Sequence, residues 1–123
     1  MLQNRIYIAE DKKDLQEGLQ LALIQNGFDV RVFDSGYPLV AMMDNWPDAF
    51  VIDIELPGIN GLEVCKWLKS HDVTRHIPGI FLPSDPYLKI LAAAAHPDDY
   101  IELTMPYSEM ARRIKARVSG ETD

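Results

Sequence analysis

Residues 47–64 read Pro47-Asp48-Ala49-Phe50-Val51-Ile52-Asp53-Ile54-Glu55-Leu56-Pro57-Gly58-Ile59-Asn60-Gly61-Leu62-Glu63-Val64. Ala49 to Ile52 is an unbroken apolar run that ends in a carboxylate, Asp53. A short apolar run bounded by turn residues predicts a strand buried on both faces, as in a parallel sheet. The Pro57-Gly58 turn follows, and Gly61 opens a helical pattern. Asp53 then lies at the carboxyl end of the strand, where open α/β sheets carry their ligand chemistry.

On the N-terminal side, Arg5 to Ala9 is β-branched and aromatic, which predicts a first strand. It runs into a second acidic pair, Glu10-Asp11. Leu15, Leu19, Ala22 and Leu23 recur at helical spacing, and Gly27 is a natural stop after Asn26. Asp29 to Phe33 alternates polar and apolar, the pattern of a half-buried or edge strand. Ser35 is placed to cap a second helix containing Leu39, Val40, Met42 and Met43. That helix must stop before Trp46-Pro47, because a residue preceding proline avoids the helical region.

On the C-terminal side, Leu62, Val64, Cys65, Trp67 and Leu68 mark a third helix. Gly79 to Leu82 is a fourth strand, ending at Pro83-Ser84. Asp85-Pro86 reads as a cap with proline at the first helical position, opening a fourth helix that runs to Ala95. Tyr100 to Leu103 is a fifth strand, and Met105-Pro106 a turn. A fifth helix buries Met110, Ala111, Ile114 and Val118. Its basic residues Arg112, Arg113, Lys115 and Arg117 read as a solvated face, with pairing across a dimer as the alternative.

Strands and helices alternate five times, which predicts a parallel sheet with helices on both faces. The expected fold is a flavodoxin-like, doubly wound α/β domain with five parallel strands in the order 2-1-3-4-5. Its switch point lies between strands one and three, so topology alone brings Glu10, Asp11 and Asp53 together. Residues 1–118 are expected to form one domain and 119–123 a polar tail.

The bulk properties fit this reading. The chain has 123 residues, 47% hydrophobic and 25% charged, and a net charge of -7. That charge argues against direct binding to nucleic acid or an anionic membrane. The single cysteine, Cys65, excludes an internal disulfide and a Cys-based zinc cluster, and is expected to be a small helix residue. His71, His76 and His96 lack ligand spacing. With no signal-peptide core and no apolar run of membrane length, a soluble, cytoplasmic protein is expected.

Three converging carboxylates repel unless one is protonated or a cation sits among them. A hard divalent ion such as Mg²⁺ prefers such oxygen ligands. A carboxylate beside it can act as nucleophile toward a phosphoryl group, with the metal neutralising charge on the transferring oxygens.

The chain resembles the receiver domain of bacterial two-component response regulators, over roughly Arg5 to Val118. The resemblance is carried by Glu10-Asp11, by Pro47-Asp48 leading to Asp53, and by Leu56-Pro57-Gly58 with Gly61-Leu62-Glu63-Val64. Thr74-Arg75-His76-Ile77-Pro78 and Met105-Pro106 add to it. It implies a phosphorelay function that acts through protein–protein contacts. Asp53 would be the phosphoryl acceptor. Glu10, Asp11 and Asp53 would hold Mg²⁺ with the backbone carbonyl of Glu55. A histidine kinase or phosphotransfer protein would be the donor, and a downstream protein or effector domain the recipient of the signal. A homodimer through the face formed by helix four, strand five and helix five is a further implication.

The chain departs from the family at its switch positions. Pro83 stands where the family has a Thr or Ser hydroxyl, with Ser84 one residue later. Met105 stands where the family has a lysine. Glu102 takes the place of the usual aromatic switch residue, with Tyr100 displaced by two positions on the same strand face. A phosphorylated site would carry Glu10 and Asp11, a phosphoryl group near −2 and Mg²⁺, a sum of about −2, where a lysine would leave about −1. Lys12 and Lys13 follow the acidic pair; they are expected to be solvated helix-start residues, partial compensation being the alternative.

Two other readings follow from these departures. One is an atypical pseudo-receiver that signals by phosphorylation-independent binding. The more remote one is a metal-dependent aspartyl phosphohydrolase, because Asp53-Ile54-Glu55 resembles the acidic motif of haloacid-dehalogenase-type phosphatases. A flavodoxin is set aside, since Glu10-Asp11 would repel the phosphate of its flavin.

Overall fold

The computed structural model describes residues 4–41, 44–82, 86–95, 97–102 and 104–120. In chain order the elements are β1 (Arg5–Ala9), α1 (Lys13–Gln25), β2 (Asp29–Phe33), α2 (Tyr37–Val40), β3 (Ala49–Asp53) and α3 (Gly61–Lys69). A 3₁₀ turn (Thr74–His76), β4 (Gly79–Leu82), α4 (Pro86–Ala92), a second 3₁₀ turn (Ala93–Ala95), β5 (Asp99–Tyr100) and α5 (Tyr107–Ser119) follow. All strand pairs are parallel, in the order β2-β1-β3-β4-β5. This is the flavodoxin-like α/β sheet expected from the alternation of elements.

Alternation along each strand divides the core into two layers. Ile6, Ile8, Ala49, Val51, Ile80 and Leu82 face α1 and α5, meeting Leu19, Leu23, Met110 and Ile114. Tyr7, Ala9, Phe50, Ile52 and Phe81 face the other way, against Leu39, Val64, Cys65, Leu68 and Ala92. Every residue of β3 is buried, as its unbroken apolar run requires, whereas edge strand β2 keeps exposed and half-buried positions. Gly27 terminates α1 at φ +91°, where its N–H bonds the Ile24 carbonyl at 3.0 Å.

Three boundaries differ from expectation, the first being α4, which ends at Ala92 and gives way to a 3₁₀ turn over Ala93–Ala95 instead of running to Ala95 as one helix. Ser35 does not cap α2; Gly36 precedes that helix and no side chain caps it. Pro38, in its first turn, removes one of the amide donors a capping hydroxyl would accept. Strand β5 spans Asp99–Tyr100, shorter than the expected 100–103, and pairs with β4 at Ile80–Asp99 and Phe81–Tyr100. The Ile101 N–H still reaches the Phe81 carbonyl at 2.8 Å. Met42, Met43, Asp85 and Leu103, assigned above to elements or caps, lie outside the described residues, as do 121–123 of the polar tail.

Candidate functional site

The β1–β3 register pairs Ala9 with Ile52. One step further along both strands stand Glu10 and Asp53, side by side at the carboxyl edge of the sheet. Glu10 is fully buried, Asp53 is 1% exposed, and Asp11 faces solvent. Each of the three offers an oxygen within 4.8 Å of the others.

Backbone packing fixes Asp53. A Cβ on Gly61 would lie 2.2 Å from the Asp53 carbonyl oxygen and 2.7 Å from Ile54 Cα, so only glycine lets α3 start this close to the strand end. The Gly61 N–H donates to the Ile54 carbonyl at 2.9 Å. Asn60 caps α3, its Oδ1 accepting from the Glu63 N–H at 2.9 Å. Glu55, in the turn after β3, donates its N–H to Asp53 Oδ1 at 3.1 Å. On the neighbouring strand the Lys12 N–H donates to Glu10 Oε1 at 2.9 Å. Buried Gln16 donates from Nε2 to the Glu10 carbonyl and, at 2.7 Å, to Asp34 Oδ1, tying the end of β1 to the end of β2.

The electrostatics are lopsided. Glu10 Oε2 is buried without a hydrogen-bond partner among the described residues. Burial pushes the Glu10 carboxyl up to about 7; the Lys12 amide opposes this and the Asp53 charge adds to it. An orphaned acceptor on a buried carboxylate that clusters with two others is a donor set suited to a hard cation.

Lys12 supplies one positive charge. Its Nζ lies 3.2 Å from Asp53 Oδ2 and 3.7 Å from Glu10 Oε1. Burial works against the charged form, but the pull of Asp53 and then Glu10 wins, and the Lys12 pKa is raised. The expectation that Lys12 is merely solvated is thereby corrected. Lysine's four-carbon stem, starting two residues beyond Glu10, is long enough to fold back over the strand ends. Lys13 behaves differently and pairs with Asp34 at 3.0 Å, outside the cluster.

Among the described residues, the switch positions Tyr100, Glu102 and Met105 do not join the cluster. Tyr100 packs beside Phe81 at 6.4 Å, with Lys89 Nζ 5.4 Å from its ring. Exposed Glu102 lies 3.8 Å from the same ammonium, so the two residues share one face as expected. Met105 is partly buried against the α1–α5 layer and lines a groove of about 530 Å³ together with Lys12. Pro83 and Ser84 lie outside the described residues.

Two further expectations are resolved elsewhere. Arg113 and Arg117 are not merely solvated, since both pair within the chain. Arg113 grips buried Asp99 with two bonds, at 2.9 and 2.7 Å, and Arg117 adds a third at 3.1 Å. Cys65 is a buried helix residue whose Sγ lies 3.4 Å from the Ala95 carbonyl, and burial pushes its thiol up to about 11, away from nucleophilic use.

Comparison with known proteins agrees with this geometry. The family model described as response regulator receiver domain matches residues 6–115. The DNA-binding response regulator MtrA of Mycobacterium tuberculosis is 30% identical over 125 residues, which cover 99% of this chain and 54% of MtrA. A crystal structure of a putative response regulator from Chloroflexus aurantiacus is 30% identical, with a TM-score of 0.88, covering 96% of this chain and 99% of that one. The receiver domain of sensor histidine kinase PA1611 from Pseudomonas aeruginosa shares the fold at a TM-score of 0.87 and 22% identity, covering 98% of this chain and 100% of that one. It was crystallised with a magnesium ion coordinated in its active-site cleft. The chain belongs to the response regulator receiver domain family and is a signalling module of two-component systems. It spans about half the length of the curated relatives it matches. No helix among the described residues is long and apolar enough to cross a membrane.

Proposed function

We propose that this domain receives a phosphoryl group on Asp53 within a phosphorelay, with a divalent cation, Mg²⁺, held by Glu10, Asp11 and Asp53 and by the backbone carbonyl of Glu55. The observation that carries this reading is the three-carboxylate cluster, with the unpartnered Glu10 Oε2 buried inside it. The Glu55 amide on Asp53 Oδ1 supports a place for that residue beside the site.

A carboxylate oxygen of Asp53 attacks phosphorus. The new P–O bond forms as the bond from phosphorus to the donor nitrogen or oxygen breaks, and the leaving group keeps the electron pair. When bound, the divalent ion supplies positive charge against the transferring oxygens. Gly61 and the Glu55 N–H hold the acceptor in one orientation. With Glu10, Asp11, the phosphoryl group and the divalent ion counted, the formal charge of the phosphorylated, metal-bound site is about −2.

The donor is a histidine kinase or phosphotransfer protein, and the output is a contact with a downstream protein or effector domain. MtrA is named as DNA-binding, but the net charge of -7 on this segment supports contact with protein instead. The exposed Tyr87, Ile90 and Leu91 of α4 support association through the α4–β5–α5 face, to which Arg113 and Arg117 contribute less because they are committed to Asp99. We assign residues 1–118 to the receiver domain and the setting to the cytoplasm.

The test is intact-mass measurement after incubation with acetyl phosphate and Mg²⁺. Wild type gains the mass of one phosphoryl group, and Asp53→Asn does not. No gain in wild type, or an equal gain in the variant, overturns the assignment. Rapid multiple turnover on a phosphoester would point to a hydrolase instead.

A further inference from the structure

Both oxygens of the Asp53 carboxylate are engaged. Oδ1 accepts from the Glu55 N–H at 3.1 Å and Oδ2 from Lys12 Nζ at 3.2 Å. The same ammonium lies 3.7 Å from Glu10 Oε1. It therefore straddles the two buried carboxylates whose oxygens, with one from Asp11, lie within 4.8 Å of one another. A divalent ion among those oxygens would stand within a few ångströms of Nζ. At that range, and beside buried groups, two cations repel strongly and bulk solvent screens them poorly.

We propose that Lys12 is a tethered counter-ion that occupies the acidic cluster in competition with the divalent cation. The proposal rests on the reading of Glu10, Asp11 and Asp53 as the metal site. Lys12 neutralises part of the cluster when the metal is away and must withdraw when it arrives. Room for withdrawal is at hand, because Lys12 also borders the groove of about 530 Å³ whose other wall carries Met105, Pro106 and Tyr107. Asp34, in the β2–α2 turn, already bonds Lys13 and Gln16. The side chain is 49% exposed, so its stem can swing without disturbing the core.

Direct calorimetric titration of the metal-free protein with Mg²⁺ at constant ionic strength tests this. Lys12→Gln should bind Mg²⁺ about tenfold more tightly than wild type, a size set by losing one close like-charge contact at the effective dielectric of a partly buried site. Lys12→Arg, which keeps the charge, should stay close to wild type. Lys13→Gln removes the same formal charge one residue away, where it faces Asp34, and should change affinity less than about twofold. Unchanged or weaker binding in Lys12→Gln overturns the proposal, as does an equal gain in Lys13→Gln, which would trace the effect to net charge alone. Absence of Mg²⁺ binding in wild type and Lys12→Gln alike would instead overturn the metal site itself, and the competition with it.

Discussion

One cluster of charge lies at the carboxyl ends of β1 and β3 and another at the start of β5, and they are built in opposite ways. At the ends of β1 and β3, three carboxylates face one lysine, and one buried oxygen has no partner among the described residues. At β5, a single carboxylate, Asp99, meets two arginines and the Tyr100 N–H, with each oxygen bonded. The first cluster is short of positive charge and is held in shape by backbone packing. The second is supplied with it and holds itself. Unpaired buried charge is costly, so a fold that keeps it does so where chemistry needs it. A buried carboxylate that is fully paired belongs instead to the framework.

If backbone packing shapes the acidic cluster, disturbing that packing should produce the largest effect. Gly61→Ala would place a Cβ 2.2 Å from the Asp53 carbonyl oxygen, a contact with backbone that no rotamer change relieves. The expected loss is about 3 kcal/mol, the upper range for overpacking. Urea denaturation measures it, and acceptance of a phosphoryl group by Asp53 should fall with it. A loss below about 0.5 kcal/mol would mean that α3 moves freely and that the site is not fixed from below.

The Asp99 cluster should respond to charge instead. Asp99→Asn removes the ionic part of the bonds to Arg113 and Arg117 while keeping the shape. The carboxylate is buried but both arginines are partly exposed, so the expected loss is about 2 kcal/mol, between the values for surface and buried pairs. Burial pushes the Asp99 carboxyl up, but the Arg113, Tyr100 and Arg117 hydrogen bonds outweigh it and the net pKa lies below 3.8. A carboxyl whose folded pKa is depressed stabilises fully above its unfolded value and loses that contribution as pH falls through the folded one. The advantage of wild type over Asp99→Asn should therefore hold from neutral pH down to about 4 and shrink below it. A difference that stays constant down to pH 2 would show that the network acts by packing and not by charge.

The two clusters also differ in how readily the sequence reveals them. Glu10, Asp11 and Asp53 can be placed from the chain alone because each ends an apolar run, and the strand order then sets β1 beside β3. The limits of β1, β2 and β4 are legible for the same reason: burial on one or both faces imposes a pattern on consecutive residues. Lys12 is not legible. Whether a lysine at a helix start points to water or folds back over a strand end depends on the path of the turn, which leaves no periodic trace. The inward turn of Arg113 and Arg117 is hidden as well, since their partner lies in another element and an arginine on the polar side of a helix looks solvated. The extent of β5 escapes as well: two residues pair with β4, and the apolar pattern around Ile101 does not mark that limit.

The sharpest way to break the comparison is to make the same kind of substitution in both clusters and look for opposite signs. Glu10→Gln keeps the oxygen that accepts the Lys12 N–H and removes a charge that burial disfavours. Since the Glu10 pKa is raised from 4.5 to about 7, its ionisation costs the folded state stability as pH rises from the lower value through the higher. In the presence of a chelator at pH 8, Glu10→Gln should be more stable than wild type by about 1 kcal/mol, the pull of Lys12 on the native charge limiting the gain. The gain should vanish as pH falls below about 4, where the carboxyl becomes protonated in both states. Adding Mg²⁺ should reverse the order, because a ligand bound only by the folded state stabilises the chain that binds it better. Chemical denaturation with and without Mg²⁺ measures all three conditions. If Glu10→Gln instead costs as much as Asp99→Asn without metal, the acidic cluster is a satisfied network like its neighbour.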